Sequence, residues 1–587
     1  MTHDFLSKHL WLGISLIAII AVACGGAATP DSAPTTAAVA QPTPAPTAVV
    51  APEPTVAPTA LVVPKSTMMK FPASPSWVAY GKAGRNINFV WRGNPGQWDM
   101  HYCASLFSCL MPSQPRFNQI VEYDPVNPTE VICDLCSSWE VNEDGTLYTF
   151  KLRKATSSDG VPFTAEDVAF SLNRITLPDA IRSRTQILRR FYEFESARVI
   201  DPQTIEVPVK FPAATFLANL AQDYMKMYPK HKAEGLTQDE VNCCPENLVG
   251  SGPFVFVNFV KGTSFKYAKN QNYFKENRPF FDGFEVFLIK DLSRVISSLQ
   301  IGQIDATYGT GVPYPVLDME QLEKDTGGRV KPLTVGGAFG GLILHQNQPP
   351  FDNPLVRRAV YLALEREVVM ETAWDGLGNV GTFFNYGYAE TTEGLKNEPG
   401  WRFPKDQDIA EAKRLLAEAG YADGFKGKMN SGNNSTSTAQ ASVITEQLRA
   451  IGLDFTLDAT DTATYHVRTR EGEHNLTSVV SAIIIPDPSD LLAQVFSLNI
   501  EKNPDNWTEP RFAELVEAQE KELDTAKRLD MFKEMRDILR KGESHWVPVA
   551  FMTNGGAYSC HMQNVVAPPT IQIAHKWEHV WWDDAAC

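Results

Sequence analysis

From about residue 85 to the C-terminus, hydrophobic and polar positions follow two alternating rhythms. Asn86-Ile-Asn-Phe-Val-Trp91 and Tyr148-Thr-Phe-Lys-Leu-Arg153 alternate with a period of two, as half-buried strands do. Thr164-Ala-Glu-Asp167 has the form of a capping box, and Val168, Leu172 and Ile175 follow it at helical spacing. Asn353-Pro354 repeats that logic, with Asn as cap and Pro in the first turn, before Val356, Ala359, Val360, Ala363 and Leu364 on one face. Further helices are expected at about 406–419, 440–451 and 524–541. This mixture predicts an α/β or α+β body of several layers.

The first 70 residues follow neither rhythm. Trp11 to Ala23 is an unbroken apolar run, suited to the core of an export signal and too short for a bilayer span, which takes about 20 residues. It ends in Ala21-Val22-Ala23-Cys24, which resembles a bacterial lipobox with Cys24 as the acylated residue; an ordinary A-x-A secretory cleavage is the alternative. Residues 1–23 are therefore expected to be a signal peptide. Residues 24–68, dominated by Ala, Pro, Thr and Val, are expected to be a tether with too little to bury to offset its ordering entropy.

Charge and composition narrow the function. Across 587 residues, 53 Lys and Arg stand against 69 Asp and Glu, a net charge of −16, with no basic run to follow a phosphate backbone. Nucleic acid is excluded as a partner. Apart from Cys24 there are eight cysteines, Cys103, Cys109, Cys133, Cys136, Cys243, Cys244, Cys560 and Cys587, which in an exported chain read as disulfides. Which cysteine pairs with which is open in the sequence, with Cys103–Cys109 and Cys560–Cys587 as local candidates, while Cys133-x-x-Cys136 also has the form of a redox motif or half a zinc site. The chain has no HExxH, no G-x-S-x-G and no P-loop. Its one G-x-G-x-x-G, Gly376 to Gly381, follows a predicted helix where a dinucleotide fold needs a strand. The eleven histidines are scattered. No catalysis, cofactor or metal is expected.

A series of spaced motifs carries more information. Leu135 to Lys154 (LCSSWEVNEDGTLYTFKLRK) and Asp159 to Arg174 (DGVPFTAEDVAFSLNR) closely resemble the signature of family 5 extracellular solute-binding proteins. These are the peptide, opine and nickel-complex receptors of ABC importers. Further landmarks recur in order: Val249-Gly-Ser-Gly-Pro-Phe254, Asn270-Gln-Asn-Tyr-Phe274, Leu299 to Asp305, Pro349 to Ala359, Ala412 to Phe425 and Gln447 to Leu453. The likeness spans about residues 85–565. The glycines and Asp-Gly pairs in these motifs also have turn-forming explanations, so they speak for architecture and leave specificity open.

The resemblance implies a two-lobed, periplasmic-binding-protein-like α/β receptor (type II, with an extra subdomain), its mixed sheets flanked by helices and its chain crossing the hinge twice. Lobe I would hold 69–340 and the C-terminal return 550–587, with the subdomain at about 121–246; lobe II would be 341–549. It implies a monomer that captures a peptide or peptide-like organic solute and hands it to ABC permease and ATPase subunits, on the extracytoplasmic face of the membrane. A nickel-chelate or opine receptor, or a surface peptide sensor or chaperone outside transport, are the rival readings.

Peptide receptors of this family carry Gly-Trp-x-x-Asp-Tyr-x-Asp-Pro, whose first Asp pairs with the ligand's α-ammonium. Aligned on Pro486-Asp487-Pro488, this chain puts Ile484 at the anchoring position and Ser481 at that of the Trp; an alignment slip would give the role to Asp487 or Asp490. Other cleft candidates by loop position are Trp98, Asp99 and His101, Phe117 and Asn118, Tyr308 and Thr310, and the aromatic loop Phe383, Phe384, Asn385 and Tyr386. Such a cleft suits a hydrophobic or neutral solute. The lipidation expectation is checked at Cys24: Cys24→Ala abolishes lipid labelling and releases mature protein to the soluble fraction, and unchanged detergent partitioning of the variant would refute it.

Overall fold

A computed structural model describes residues 81–587, except 103–108, 126, 128, 179–184, 309–313, 381–382, 385–391, 396, 571–572 and 574–575. Cys24, Cys103, Thr310, Asn385 and Tyr386 lie outside the described residues. Strand β1, Asn86–Trp91, is buried on both faces: Ile87, Phe89 and Trp91 enter the main core and Val90 a second, smaller one. Burial of that kind belongs to a strand inside a sheet with parallel neighbours. Its flanking strands are β2 (Phe254–Val260), β3 (Ser264–Lys269), β4 (Gly283–Leu288) and β5 (Ala306–Thr307). The remaining long strands are β6 (Val330–Leu344), β7 (Phe425–Gly432), β8 (Leu453–Thr460), β9 (Leu476–Ala482) and β10 (Trp546–Ser559).

These ten join one mixed sheet in the order β2-β3-β4-β1-β5-β10-β6-β9-β7-β8, with the short strand Gly378–Asn379 added on β10. The two longest strands carry the architecture. The first part of β6, Val330–Gly336, pairs antiparallel with the end of β10, Ser559–Thr553, whose Tyr558 pairs with Ala306 of β5. The second part, Ala338–Leu344, pairs with β9 as well as with the start of β10. The backbone thus runs twice from one half of the sheet to the other, without leaving it. This is the mixed, helix-flanked α/β architecture of a two-lobed binding protein.

The helices form where the capping residues stand. Thr164 and Asp167 exchange hydrogen bonds at the start of Ala165–Thr176, and the Asn353 side chain accepts from the Leu355 amide, 2.9 Å away, at the start of Pro354–Ala363. Asp406–Glu418, Ser435–Arg449 and Thr525–Leu539 occupy the other expected places, the second beginning five residues earlier than its periodicity suggested because Asn434 caps it. A separate antiparallel sheet is inserted after β1, in the order Cys136–Val141, Leu147–Leu152, Thr204–Pro208, Arg198–Asp201. It has its own core of Trp139, Tyr148, Phe150, Val168, Leu172 and Phe216.

Cys133–Cys136 and Cys560–Cys587 are disulfides, so the CxxC pair is closed on itself. Cys109 is disulfide-bonded too, whereas Cys243 and Cys244 carry free thiols.

The Val249-Gly-Ser-Gly-Pro-Phe254 motif is read from its sequence as a tight turn into a strand, and it does lead into β2. Its glycines answer to a different constraint, the close passage of another chain segment. The Gly252 amide donates to the Arg116 carbonyl at 2.8 Å, and a Cβ on Gly252 would lie 2.3 Å from the Arg116 carbonyl carbon and 2.4 Å from the Phe117 nitrogen. Backbone cannot give way as a side chain does. Gly252→Ala is expected to cost about 2–3 kcal/mol in chemical denaturation, whereas Gly336→Ala, whose Cβ meets nothing within 4 Å, should be close to neutral.

Candidate functional site

The half of the sheet around β9 meets the inserted subdomain at the loop that leaves β9. Ile483 still pairs with the sheet, its amide donating to the Gly337 carbonyl at 2.7 Å. Ile484 and Ile485 then depart and are buried in the hydrophobic core of the inserted subdomain, together with Ile573 from the C-terminal segment. The Ile484 amide donates to Asp490 Oδ2 at 2.8 Å, and its carbonyl accepts from the Thr570 hydroxyl at 3.2 Å. Nearby, Arg190 pairs with Glu520, and the Ala214 amide donates to the Glu520 carbonyl at 3.0 Å.

Carboxylates near Ile484 are committed elsewhere. Asp487 forms a two-pronged pair with Arg528, at 2.6 and 2.7 Å, and is 7% exposed. Burial raises its pKa, but Arg528 outweighs burial and holds the carboxyl below its ordinary value. Asp490 Oδ2 also accepts from Gln494 Nε2 at 2.9 Å. Ser481 donates to Gln494 Oε1 at 3.1 Å.

The other predicted residues are spread over several places. Asp99 is fully buried and paired with Arg174, and His101 lies flat on Tyr228, ring centroids 4.0 Å apart, its Nε2 donating to the Lys226 carbonyl. Phe117 packs on the same Tyr228, and Trp98 packs edge-on against Phe256 and Phe259. Asn118 donates to Asp134 at 2.8 and 3.0 Å. Tyr308 belongs to the core around Phe89 and Trp577, its hydroxyl donating to the Met111 carbonyl. Phe384 packs on Phe532, while Phe383 lines an apolar pocket of about 190 Å³ with Phe339, Leu491, Trp546 and Phe551.

A larger opening, of about 530 Å³ counted out to solvent, lies beside Ile573. Its wall includes Gln119, Glu122, Asp223, Lys226, Lys576 and Glu578. Behind it is a buried ionic cluster that no local motif announced. Lys275 Nζ lies 2.8 Å from each of Glu122, Asp134 and Glu578, and Lys576 Nζ lies 2.6 Å from Glu122 and 2.8 Å from Asp134. Tyr273 donates to Glu578. Burial raises the pKa of Asp134, but Lys275 and Lys576 more than offset it and hold the group at about 2; Glu578 is held down by the same two lysines. The cluster ties the inserted subdomain to the segment after β3 and to the C-terminal segment, residues up to 456 positions apart in sequence, which is why sequence reasoning missed it.

Among the described residues, Cys560, His561 and Cys587 hold soft donor atoms within 4.8 Å of one another. The disulfide removes both thiolates as ligands. No described helix is long and apolar enough to cross a membrane.

An α/β body whose halves share two through-running strands and close over a loop is the architecture of an extracytoplasmic solute receptor. Residues 130–503 match the family model of bacterial extracellular solute-binding proteins, family 5, and the chain belongs to that family, the solute receptors of ABC importers. Heme-binding protein A of Haemophilus influenzae is 26% identical over 491 residues, covering 78% of this chain and 85% of that protein. The dipeptide-binding protein of Escherichia coli is 24% identical over 496 residues, covering 79% and 88%. The fold also matches the ABC transporter-associated periplasmic binding protein DppA from Helicobacter pylori in complex with the peptide STSA, with a TM-score of 0.70, 22% identity and coverage of 86% and 99%.

The ionic cluster generates a test. Lys275→Met leaves three buried carboxylates facing Lys576 alone and is expected to destabilise the protein by about 3–5 kcal/mol. A carboxylate with a depressed pKa stabilises above its unfolded value and loses that contribution as pH falls through its folded value. The deficit of the variant, measured by urea denaturation, should therefore be largest near neutral pH and shrink below the ordinary carboxylate value of 3.8.

Proposed function

We propose that this chain is a lipid-anchored receptor, held through Cys24, that encloses a peptide or peptide-like organic solute with a neutral buried end. In this reading, lobe I is 69–340 with 550–587, lobe II is 341–549, and the closed, loaded form is passed to the ABC permease. The through-running strands β6 and β10 support the boundaries, since each spans the proposed hinge. Relatives whose names record dipeptide binding support the ligand class.

The observation that carries the reading is Ile484. It projects from the loop after β9 into the apolar core of the inserted subdomain, while the acids beside it in sequence, Asp487 and Asp490, are engaged by Arg528, Gln494 and the Ile484 amide. An α-ammonium buried against isoleucine would give up its hydration with no carboxylate in return, a loss of several kcal/mol. Trp98, Asp99, His101, Phe117, Asn118, Tyr308 and Phe384 serve in this reading as the frame behind the cleft, because their side chains are already packed or hydrogen-bonded within the protein. In this reading Phe383, which lines the apolar pocket, and the half-buried Ser481 face the cleft.

Calorimetry with paired free and N-acetylated tripeptides tests this. The acetylated member should bind more tightly by about tenfold or more, equal to about 1.4 kcal/mol. Ile484→Asp should move the preference toward the free amine. A wild-type preference for free amines would overturn the reading.

A further inference from the structure

Two free thiols sit side by side on a chain whose other described cysteines are in disulfides. Cys243 ends the helix Gln238–Cys243, which the reciprocal cap of Thr237 and Glu240 opens, and Cys244 follows with non-helical φ −137° and ψ 74°. Cys243 is exposed and Cys244 partly so. The neighbouring Cys243 thiol pushes the pKa of the Cys244 thiol up to about 11, and the Cys243 thiol donates to the Glu240 carbonyl at 3.5 Å. The two thiols thus stand on consecutive residues, both open to reagents.

This pair stands next to the loop that carries Trp98 and Asp99. The side chain of Asn242, one residue before Cys243, accepts from the Trp98 amide at 2.8 Å. Pro245, one residue after Cys244, and Leu248 accept from the buried Arg116 guanidinium at 2.6 and 3.2 Å. Arg116 in turn donates to the Trp98 carbonyl at 3.3 Å.

We propose that Cys243 and Cys244 are a reversible vicinal dithiol site, closed by small-molecule disulfides into a Cys243–Cys244 bond, and that closure releases the Trp98 amide from Asn242. In the first step the Cys243 thiolate attacks one sulfur of R–S–S–R; that bond breaks, Cys243–S–S–R forms, and one RSH leaves carrying the proton that Cys243 gave up. Cys244 then loses its proton, attacks the Cys243 sulfur and expels the second RSH. Two electrons pass from the two cysteines to the reagent.

Cys243 is the first attacker because it is the more exposed of the two thiols. Closure is reversible for a geometric reason. Consecutive Cα atoms are about 3.8 Å apart, below the roughly 4.4–6.8 Å of relaxed disulfides, so the ring is strained and easily reduced. It also requires backbone angles that the helix end at Cys243 does not have, and Asn242 and Pro245 move with it. The inference does not depend on which solute the protein binds.

The full chain is treated with oxidised glutathione, alkylated and mapped by mass spectrometry, with amide exchange followed in parallel. The peptide containing both cysteines should lose the mass of two hydrogens and resist alkylation. Reduced glutathione should restore both thiols while Cys133–Cys136 and Cys560–Cys587 stay closed. The Trp98 amide should exchange severalfold faster in the closed form. Cys243→Ser should abolish both effects, and phenylarsine oxide, which bridges adjacent thiols, should bind the wild type and block closure. A stable mixed disulfide with glutathione, or dimers linked through Cys243, would overturn the site. Ring closure with unchanged Trp98 exchange would overturn the coupling.

Discussion

Everything in this protein hangs from the pairing of β6 with β10. The two strands share thirteen paired positions, and each half of the sheet is attached to one of them: β5 and its neighbours through β10, β9 and its neighbours through β6. No other backbone ladder among the described strands joins the two sides. The ladder is also irregular where it passes from one side to the other, with register shifts between Gly336 and Ala338 and between Gly340 and Gly341. Bulges bend a strand without breaking the sheet. Under the proposed function, such steps let the connection between the lobes stay continuous and still flex.

Around that ladder the inserted subdomain has two junctions of opposite chemistry. Toward the C-terminal segment it is held by five buried charges, with Lys275 and Lys576 set among Glu122, Asp134 and Glu578. Separating them would strand ions in a low dielectric, so this junction stays shut. Toward the loop after β9 it is held by Ile484 and Ile485 in an apolar core, with Arg190 and Glu520 paired at a partly exposed margin. Parting isoleucines strands no charge, and the exposed pair regains water. Under the proposed function, the junction that opens is the one whose opening strands no buried charge.

The loops picked out by family position carry polar residues that already have partners inside the protein. Asp99, His101 and Asn118 are polar residues in a loop-rich region, which in sequence reads as ligand chemistry. Each has its partner inside the protein: Arg174 for Asp99, the Lys226 carbonyl for His101, Asp134 for Asn118. Buried polar groups must be satisfied somewhere, and internal partners satisfy them as well as a ligand does.

The sequence alone determined the elements that depend on near neighbours. The alternation of Asn86–Trp91, the reciprocal cap of Thr164 and Asp167 and the Asn353-Pro354 helix start are local, because strand period, capping and turn geometry act over a few residues. The spaced motifs identified the family, and a modest separation of 27 residues made Cys560–Cys587 a pairing worth naming. Only the tertiary structure decided what crosses long distances. Lys275 finds Glu578 across 303 residues, Arg528 takes the charge of Asp487 across 41, and Gly252 is required by the backbone at Arg116. None of these leaves a periodic trace, since a buried charge or a close backbone contact depends on where distant segments are packed and not on the residues beside it in the chain.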